Sequence, residues 1–386
     1  MNRVQNDAPP TVMFSAGEAS GDRYAAEIWL RVSARKPQMT AFGLGGPTSR
    51  QAGIETLVDA REIAVMGLVE VLRHYPRLRR AMNTLKSALE ERRPALLICI
   101  DYQEFNQRLA RHARALGIPV LFFVAPQVWA WRPRRAAKMR TVADRLAVLF
   151  DFEVPLFDAH GIDTVHVGHP LLDLVDLQRG RDAARQALDL PLRGTVVGLL
   201  PGSRLSEIGR LLPPMLESAR LLQASHPDCR FVLPRAAGIT SQDLAPFLES
   251  SPIRSLQVVE GQAHEVMRAA DALLVASGTA SLEAGIIGTP MVIVYRTHGL
   301  TAWLAGRLLE TPHVGLPNII AGQEIVPELL QDQATPERMA GRISSLIDDP
   351  ELARRQREQL IRLRSRLGDR GALDRLAEQV LSMLRG

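Results

Sequence analysis

Leu96-Leu97-Ile98-Cys99-Ile100-Asp101 decides the fold class: five apolar residues run straight into a carboxylate, and Tyr102, Gln103, Glu104, Phe105 and Asn106 follow. An apolar run of this length, bounded by polar residues, predicts a buried strand of a parallel sheet. Such a strand cannot carry a charge in its middle but can present one at its C-terminal tip. In open α/β sheets that tip is where ligands bind. Asp101 is therefore the candidate reacting carboxylate. Capping of the following helix is the alternative.

The same layout recurs on both sides. Residues 11–17 read as a first strand, running into Glu18-Ala-Ser-Gly-Asp22 and a helical pattern to about Arg35. Gly17 and Gly21 allow a tight turn, Ser20 is the candidate N-cap, and Asp22 suits a first turn. The three spaced glycines of a dinucleotide site are absent. Gly43-Leu-Gly45-Gly46-Pro47 makes a second Gly-rich turn. Residues 120–125, 145–150 and 164–167 read as further strands. After residue 125 come Trp129 and Trp131 beside Arg132, Arg134, Arg135, Lys138 and Arg140, a cluster open to nucleic acid, sugar phosphate or a membrane interface. His169, between Gly168 and Pro170, sits in a turn, as a ligand contact or a structural histidine. Residues 171–193 read as a linker.

Strand–helix alternation then restarts, with strands at 195–200, 231–233, 256–259, 272–276 and 291–295. A helix from Leu205 to Leu222 is expected to break or restart at Pro213-Pro214. Two loops here have the chemistry of an anion cradle. In Pro201-Gly202-Ser203-Arg204, the glycine permits close backbone approach, the serine offers a hydroxyl and the arginine can grip two phosphate oxygens. Ser277-Gly278-Thr279-Ala280 also lies between strand and helix, where backbone N–H groups attract phosphate without a metal. Glu283, about one turn on, can accept hydrogen bonds from ribose. Two such loops in one half point to a nucleoside diphosphate.

At 386 residues two domains are expected. Apolar content of 46% and charged content of 23% are ordinary for a globular chain. Cys99 and Cys229 are too few for a disulfide framework, and no Cys or His spacing reads as a metal site. The first ten residues lack the apolar core of a signal peptide, and no run approaches the ~18 apolar residues that span a bilayer, so a cytoplasmic location is expected. The net charge of +5, with a pI near 9.7, favours an anionic partner, though solvated surface charge explains much of it. Met66 to Arg80 interleaves apolar residues with arginines, as in a helix lying on an anionic membrane or a surface helix packed on a core.

A carboxylate in one half and a diphosphate cradle in the other fit glycosyl transfer. The departing diphosphate is stabilised as charge develops, and the carboxylate takes the proton of the attacking hydroxyl.

Several segments, in order and across nearly the whole chain, resemble the lipid-A-disaccharide synthase family: Ala16-Gly-Glu-Ala-Ser-Gly-Asp22, Ala64-Val-Met-Gly-Leu-Val-Glu-Val-Leu72, Ile100-Asp101 with Phe105-Asn106, and Val128-Trp-Ala-Trp-Arg132. Gly168-His169, Leu200-Pro-Gly-Ser-Arg204, Ala276-Ser-Gly-Thr-Ala280 with Leu282-Glu283, and Leu316-Pro-Asn318 with Ala321-Gly322 continue the match. The resemblance implies an α/β fold of the GT-B kind: two Rossmann-like, doubly wound parallel-sheet domains with the active site between them. Residues 1–170 would form the acceptor and membrane side, residues 171–355 would bind the UDP-sugar, and helices in 356–386 would cross back to the first domain. It implies an inverting transferase, with no cofactor and no metal, joining UDP-2,3-diacylglucosamine to 2,3-diacylglucosamine 1-phosphate (lipid X). The products would be UDP and a β(1→6) disaccharide of lipid A biosynthesis.

Carried onto this sequence, the resemblance makes Asp101 the general base and Arg204, with Gly202 and Ser203, the diphosphate contact. Ser277, Gly278, Thr279, Ala280 and Glu283 become the nucleotide turn and helix, Asn318 a further UDP-side contact, and Glu18 and Ser20 the first loop facing the cleft. Val69, Leu72, Arg73, Arg77, Arg79 and Arg80 become contacts to the anionic inner-membrane surface, on its cytoplasmic face. The tryptophan pair then reads as structural or acceptor-side. A homodimer is left open, and no nucleic acid is expected. One departure stands out: the family usually writes Ala-Pro-Asp where this chain has Tyr102-Gln103-Glu104. The loop's shape and acceptor preference, more than the reaction, are where this chain is expected to differ. The competing readings are a UDP-sugar 2-epimerase of the same architecture and a non-enzymatic basic protein binding nucleic acid or membrane.

Overall fold

The computed structural model describes residues 10–63, 68–126, 133–236, 238–249, 253, 255–297 and 312–384. Its chain divides into two compact units, Met1–Asp173 with Leu367–Gly386, and Leu174–Arg366.

In the first unit the strands are β1 (Thr11–Ala16), β2 (Thr40–Gly45), β3 (Glu55–Asp59), β4 (Leu96–Ile100), β5 (Val120–Phe123), β6 (Arg145–Val148) and β7 (Asp163–His166). All pairings are parallel, in the order β3-β2-β1-β4-β5-β6-β7. Every residue of β4 is fully buried, as its unbroken apolar run requires. Helices Leu68–Arg92 and Gln103–Ala115 contribute Leu85, Leu89 and Leu109 to the core, against Met13, Leu97 and Cys99. Cys99 is a core residue whose burial pushes its thiol far above the ordinary range. The chain builds outward from β1 to β3, then returns to place β4 on the other side of β1. That reversal leaves a crevice at the C-terminal ends of β1 and β4.

The second unit repeats the scheme with β8 (Val196–Leu200), β9 (Arg230–Arg235), β10 (Leu256–Glu260), β11 (Ala272–Ala276), β12 (Met291–Tyr295) and β13 (Glu328–Leu330). Their order is β10-β9-β8-β11-β12-β13, again all parallel. The reversal falls between β8 and β11.

The chain passes between units at 173/174 and 366/367, rather than at 170/171 and 355/356. Helix Pro350–Leu363 stays with the second unit, because Gln356 is buried there and bonds both the N–H and the C=O of Met291. The last helix, Ala372–Met383, packs on helix Ala19–Arg35 of the first unit. Residues 171–193, expected to be a linker, are anchored. The Arg185 guanidinium is fully buried and donates to the carbonyls of Ala269, Pro191, Leu192 and Gly194 and to Asp271. All three of its nitrogens are engaged, Nε and Nη2 by Ala269 and Asp271, partners that the local sequence does not reveal.

Two further differences concern the sheet edges and a helix. The sheet-edge strands β3 and β13 are missing from the sequence reading; both are only partly buried, as are the edges β7 and β10, which the sequence does announce. Helix Leu205–Ser225 runs unbroken through Pro213 and Pro214. Gly209, Arg210, Pro213 and Pro214 line a groove of about 520 Å³ open to solvent, so water can satisfy the carbonyls that the prolines orphan. Among the described residues no helix is long and apolar enough to cross a membrane.

Candidate functional site

Each unit carries a constellation at its own strand-order reversal. In the first, Ala16 is registered against Ile100, so the loop after β1 and the turn after β4 are neighbours. Asp101 and Tyr102 both adopt left-handed backbone, at φ 48° and 49°, and Val124 beside them at φ 66°. Such conformations cost on the order of 1–3 kcal/mol each and persist only where the surroundings impose them. Asn106 imposes this one. Fully buried, its amide donates to Asp101 O (2.7 Å), Ser15 O (3.1 Å) and Ile100 O (3.2 Å), while its oxygen accepts from Ser15 Oγ (2.6 Å). Gln103 Nε2 adds a bond to Val124 O (2.8 Å) and a long one to Asp101 Oδ1 (3.5 Å). The Asp101 carboxyl is pushed up to about 6, first by burial and then by the negative charge of Glu18; bonds from Gln103 and the Tyr102 amide pull the other way. A carboxylate so poised is ionised at neutral pH yet basic enough to accept a proton.

Glu18, rather than Ser20, is the N-cap of helix Ala19–Arg35, and Ser20 lies in its first turn. Asp22 does more than suit a helix start. It is buried and accepts from the N–H groups of Gly46 (2.6 Å), Thr48 (3.0 Å) and Ser49 (3.0 Å), tying the first loop to the Gly-rich turn after β2.

In the second unit, Val275 of β11 is registered against Leu200 of β8, which brings the two predicted cradle strands side by side. Arg204 is the N-cap of helix Leu205–Ser225. Glu207, one turn into that helix, accepts from Arg204 Nη1 (2.9 Å) and from the Ser203 N–H (3.1 Å), and lies where a Cβ on Gly202 would stand. Its carboxylate occupies the place that sequence reasoning reserves for phosphate. An acid in the first turn after a cap was a readable signal. The other turn is open: Gly278 caps helix Thr279–Ile287 at φ 144°, and among the described residues nothing lies within 4 Å of a Cβ placed there. The Ser277 hydroxyl donates to Val314 O (2.9 Å), so the backbone and the helix terminus are the groups at this turn suited to an anion. Glu283 pairs with His264 at 3.1 Å, a partner that no sequence signal announced.

Two singled-out residues prove structural. Asn318 is fully buried; its amide donates to Val326 O and Glu328 Oε1, and its oxygen accepts from Ile325 N and Val326 N. Its polar atoms are committed within its own loop, and Glu328 in turn accepts from Val314 N and Gly315 N, so Asn318 braces the segment that holds Ser277. His169 is buried, its Nδ1 accepting from Leu171 N, and burial pushes its imidazole down to about 4. It is a neutral structural histidine. Trp129, Trp131 and Arg132 lie outside the described residues, as does the start of the basic segment at Met66. Val69, Leu72 and Arg73 lie on helix Leu68–Arg92, with side chains outside the description; Arg77, Arg79 and Arg80 on the same helix are exposed. Among the described residues no group of three or more His, Cys, Asp or Glu side chains could hold a metal ion.

Residues 12–380 match a family model described as lipid-A-disaccharide synthetase. A relative from Trichlorobacter lovleyi, named lipid-A-disaccharide synthase, is 46% identical over 376 residues, covering 97% of this chain and 98% of its own. Among solved structures, a calicheamicin glycosyltransferase superposes with a TM-score of 0.63 at 15% identity, covering 98% of each chain. The UDP-GlcNAc 2-epimerase of Neisseria meningitidis, bound to UDP-GlcNAc, superposes with a TM-score of 0.62 at 15% identity, covering 96% of this chain and 99% of its own. At such identities the likeness is one of fold, the two parallel-sheet α/β units of the GT-B class. Transferases and epimerases share that fold, so it does not choose between them.

Proposed function

The chain belongs to the lipid-A-disaccharide synthase family, and from that premise we propose how its residues divide the work of the glycosyl transfer. The donor is a UDP-sugar and the acceptor a lipid. In our reading the donor is UDP-2,3-diacylglucosamine and the acceptor 2,3-diacylglucosamine 1-phosphate. The acceptor's 6-hydroxyl gives its proton to Asp101 as its oxygen attacks the anomeric carbon. The bond from that carbon to the UDP oxygen breaks on the opposite side, inverting the centre. Negative charge grows on the leaving diphosphate, where Arg204 and the N–H groups of the Gly278 turn meet it. Glu207 must yield Arg204 and the Ser203 N–H for the diphosphate to take them. Catalysis requires the hydroxyl and the anomeric carbon to be held ~3–3.5 Å apart, which converts two encounters into one bound geometry.

The observation that carries this reading is Asp101 itself: a partly buried carboxyl on an imposed left-handed turn, at the β4 tip, with its proton affinity raised to about 6. The test is product analysis with the diacylated UDP-sugar, with and without the 1-phosphate acceptor. Disaccharide and free UDP in equal amounts, only when both substrates are present, are expected. An isomerised UDP-sugar formed without acceptor would replace the transferase with the epimerase.

We further propose that the enzyme works on the cytoplasmic surface of the inner membrane, docked through helix Leu68–Arg92. Both substrates carry acyl chains, and exposed Arg77, Arg79 and Arg80 can meet anionic head groups at about 1 kcal/mol each.

A further inference from the structure

We propose that Tyr102 is a positioning residue for the transfer: its ring, wedged against Gly17, holds the loop that carries Glu18 against the Asp101 turn. This rests on the reading of Asp101 as the base. A Cβ on Gly17 would come within 2.6 Å of Tyr102 Cγ and 2.7 Å of Cε1, so ring and loop backbone are in direct contact and only glycine fits between them. The ring cannot easily yield. Its hydroxyl donates to Ile63 O (2.7 Å), its face lies against Phe105 with centroids 5.3 Å apart, and its backbone is fixed at φ 49°. A bulky residue in left-handed backbone is a genuine outlier, held here by the Asn106 clamp on the preceding carbonyl.

Among the described residues, the groups that act on the Asp101 carboxyl come from two elements. The β1 loop brings Glu18, and Asp101's own turn and helix bring the Tyr102 amide and Gln103. From the end of β5, among the described residues, comes the Val124 backbone, which Gln103 holds. Removing the ring lets the loop and Glu18 draw away and lets water in. Both changes favour the ionised carboxylate and lower its proton affinity.

The test titrates the Asp101 carboxyl by ¹³C NMR in aspartate-labelled protein, the resonance assigned with Asp101→Asn. This readout needs no turnover, so it stands apart from the transferase reading, which the product assay decides. In the native protein a midpoint near 6 is expected. Tyr102→Ala is expected to lower it by about one pH unit and, by weakening the base, to lower kcat roughly tenfold with the KM for UDP-sugar unchanged. Tyr102→Phe, which keeps the ring, should keep the midpoint. Gly17→Ala alone should cost more than about tenfold in kcat, and Gly17→Ala with Tyr102→Ala should return to the level of Tyr102→Ala, because the clash is gone. If Tyr102→Ala does not fold, Tyr102→Leu keeps the apolar burial without the planar ring and is read the same way. A midpoint unmoved by losing the ring, or a double variant no better than the product of its singles, overturns the proposal.

Discussion

Replacing Asp101 with asparagine should stabilise the protein while removing its activity. The native carboxyl binds its proton more tightly than the unfolded one, with a midpoint near 6 against an ordinary value of 3.8. Ionising it therefore costs the folded state at every pH above about 4, and the full cost is present above about 6. At about 1.36 kcal/mol per pH unit, the difference comes to about 3 kcal/mol at pH 7. Asparagine has the same shape, carries no charge and tolerates the φ of 48° at this position at least as well as aspartate. Urea unfolding at pH 7 should show the first unit of Asp101→Asn stabilised by about 2–3 kcal/mol. That corresponds to a rise in Tm of about 2–4 °C per kcal/mol for a domain of roughly 150–250 residues. The gain should shrink as pH falls from 6 and vanish near pH 4, where the native carboxyl is also neutral. Turnover, measured as UDP release, should drop about 10²–10⁴-fold, the usual worth of a positioned base, with UDP binding intact. A variant less stable than the native protein at pH 7, or a gain independent of pH, would refute the claim that burial and Glu18 load this carboxyl. Near-native turnover would remove Asp101 as the base.

Arg204→Ala removes a charge-assisted contact worth about 1.5–3 kcal/mol, so the Kd for UDP by calorimetry should rise roughly 10- to 150-fold, and an unchanged Kd would discard the phosphate role. Asn318→Ala leaves two buried N–H groups and a carbonyl unpaired and should lower stability by about 2–4 kcal/mol in thermal unfolding, whereas a UDP contact would lower affinity and spare stability. His169, neutral in the fold with its midpoint near 4 against 6.5, makes the native state lose up to about 3 kcal/mol as pH falls from 6.5 towards 4; His169→Gln should flatten that part of the stability–pH curve. Arg77→Glu with Arg80→Glu should release the protein from anionic vesicles in a sedimentation assay, by about 2 kcal/mol or roughly thirtyfold, and retention would place docking elsewhere.

The alternation of apolar strand and polar turn was legible without coordinates because burial on both faces leaves a local mark. Residues 96–101 announce β4 and its charged tip, and 195–204 and 272–280 announce β8 and β11 with their turns. The residue types at those tips, an acid in one half and Gly, Ser and Arg in the other, carry their chemistry in the side chain or in its absence. Half-solvated edge strands leave a less even mark: β7 and β10 were legible, β3 and β13 were not.

Tertiary structure decided what each polar side chain does with its hydrogen bonds. Asn106 clamps Ser15 across 91 residues, Asp22 caps a turn more than 20 residues away, and Asn318 spends itself on its own loop. The left-handed Asp101–Tyr102 turn, the raised proton affinity and the carboxylate of Glu207 in the phosphate turn belong to the same class. Hydrophobic patterning is written in consecutive residues, but a hydrogen bond or a desolvated charge depends on which distant atoms the folded chain brings within about 3 Å.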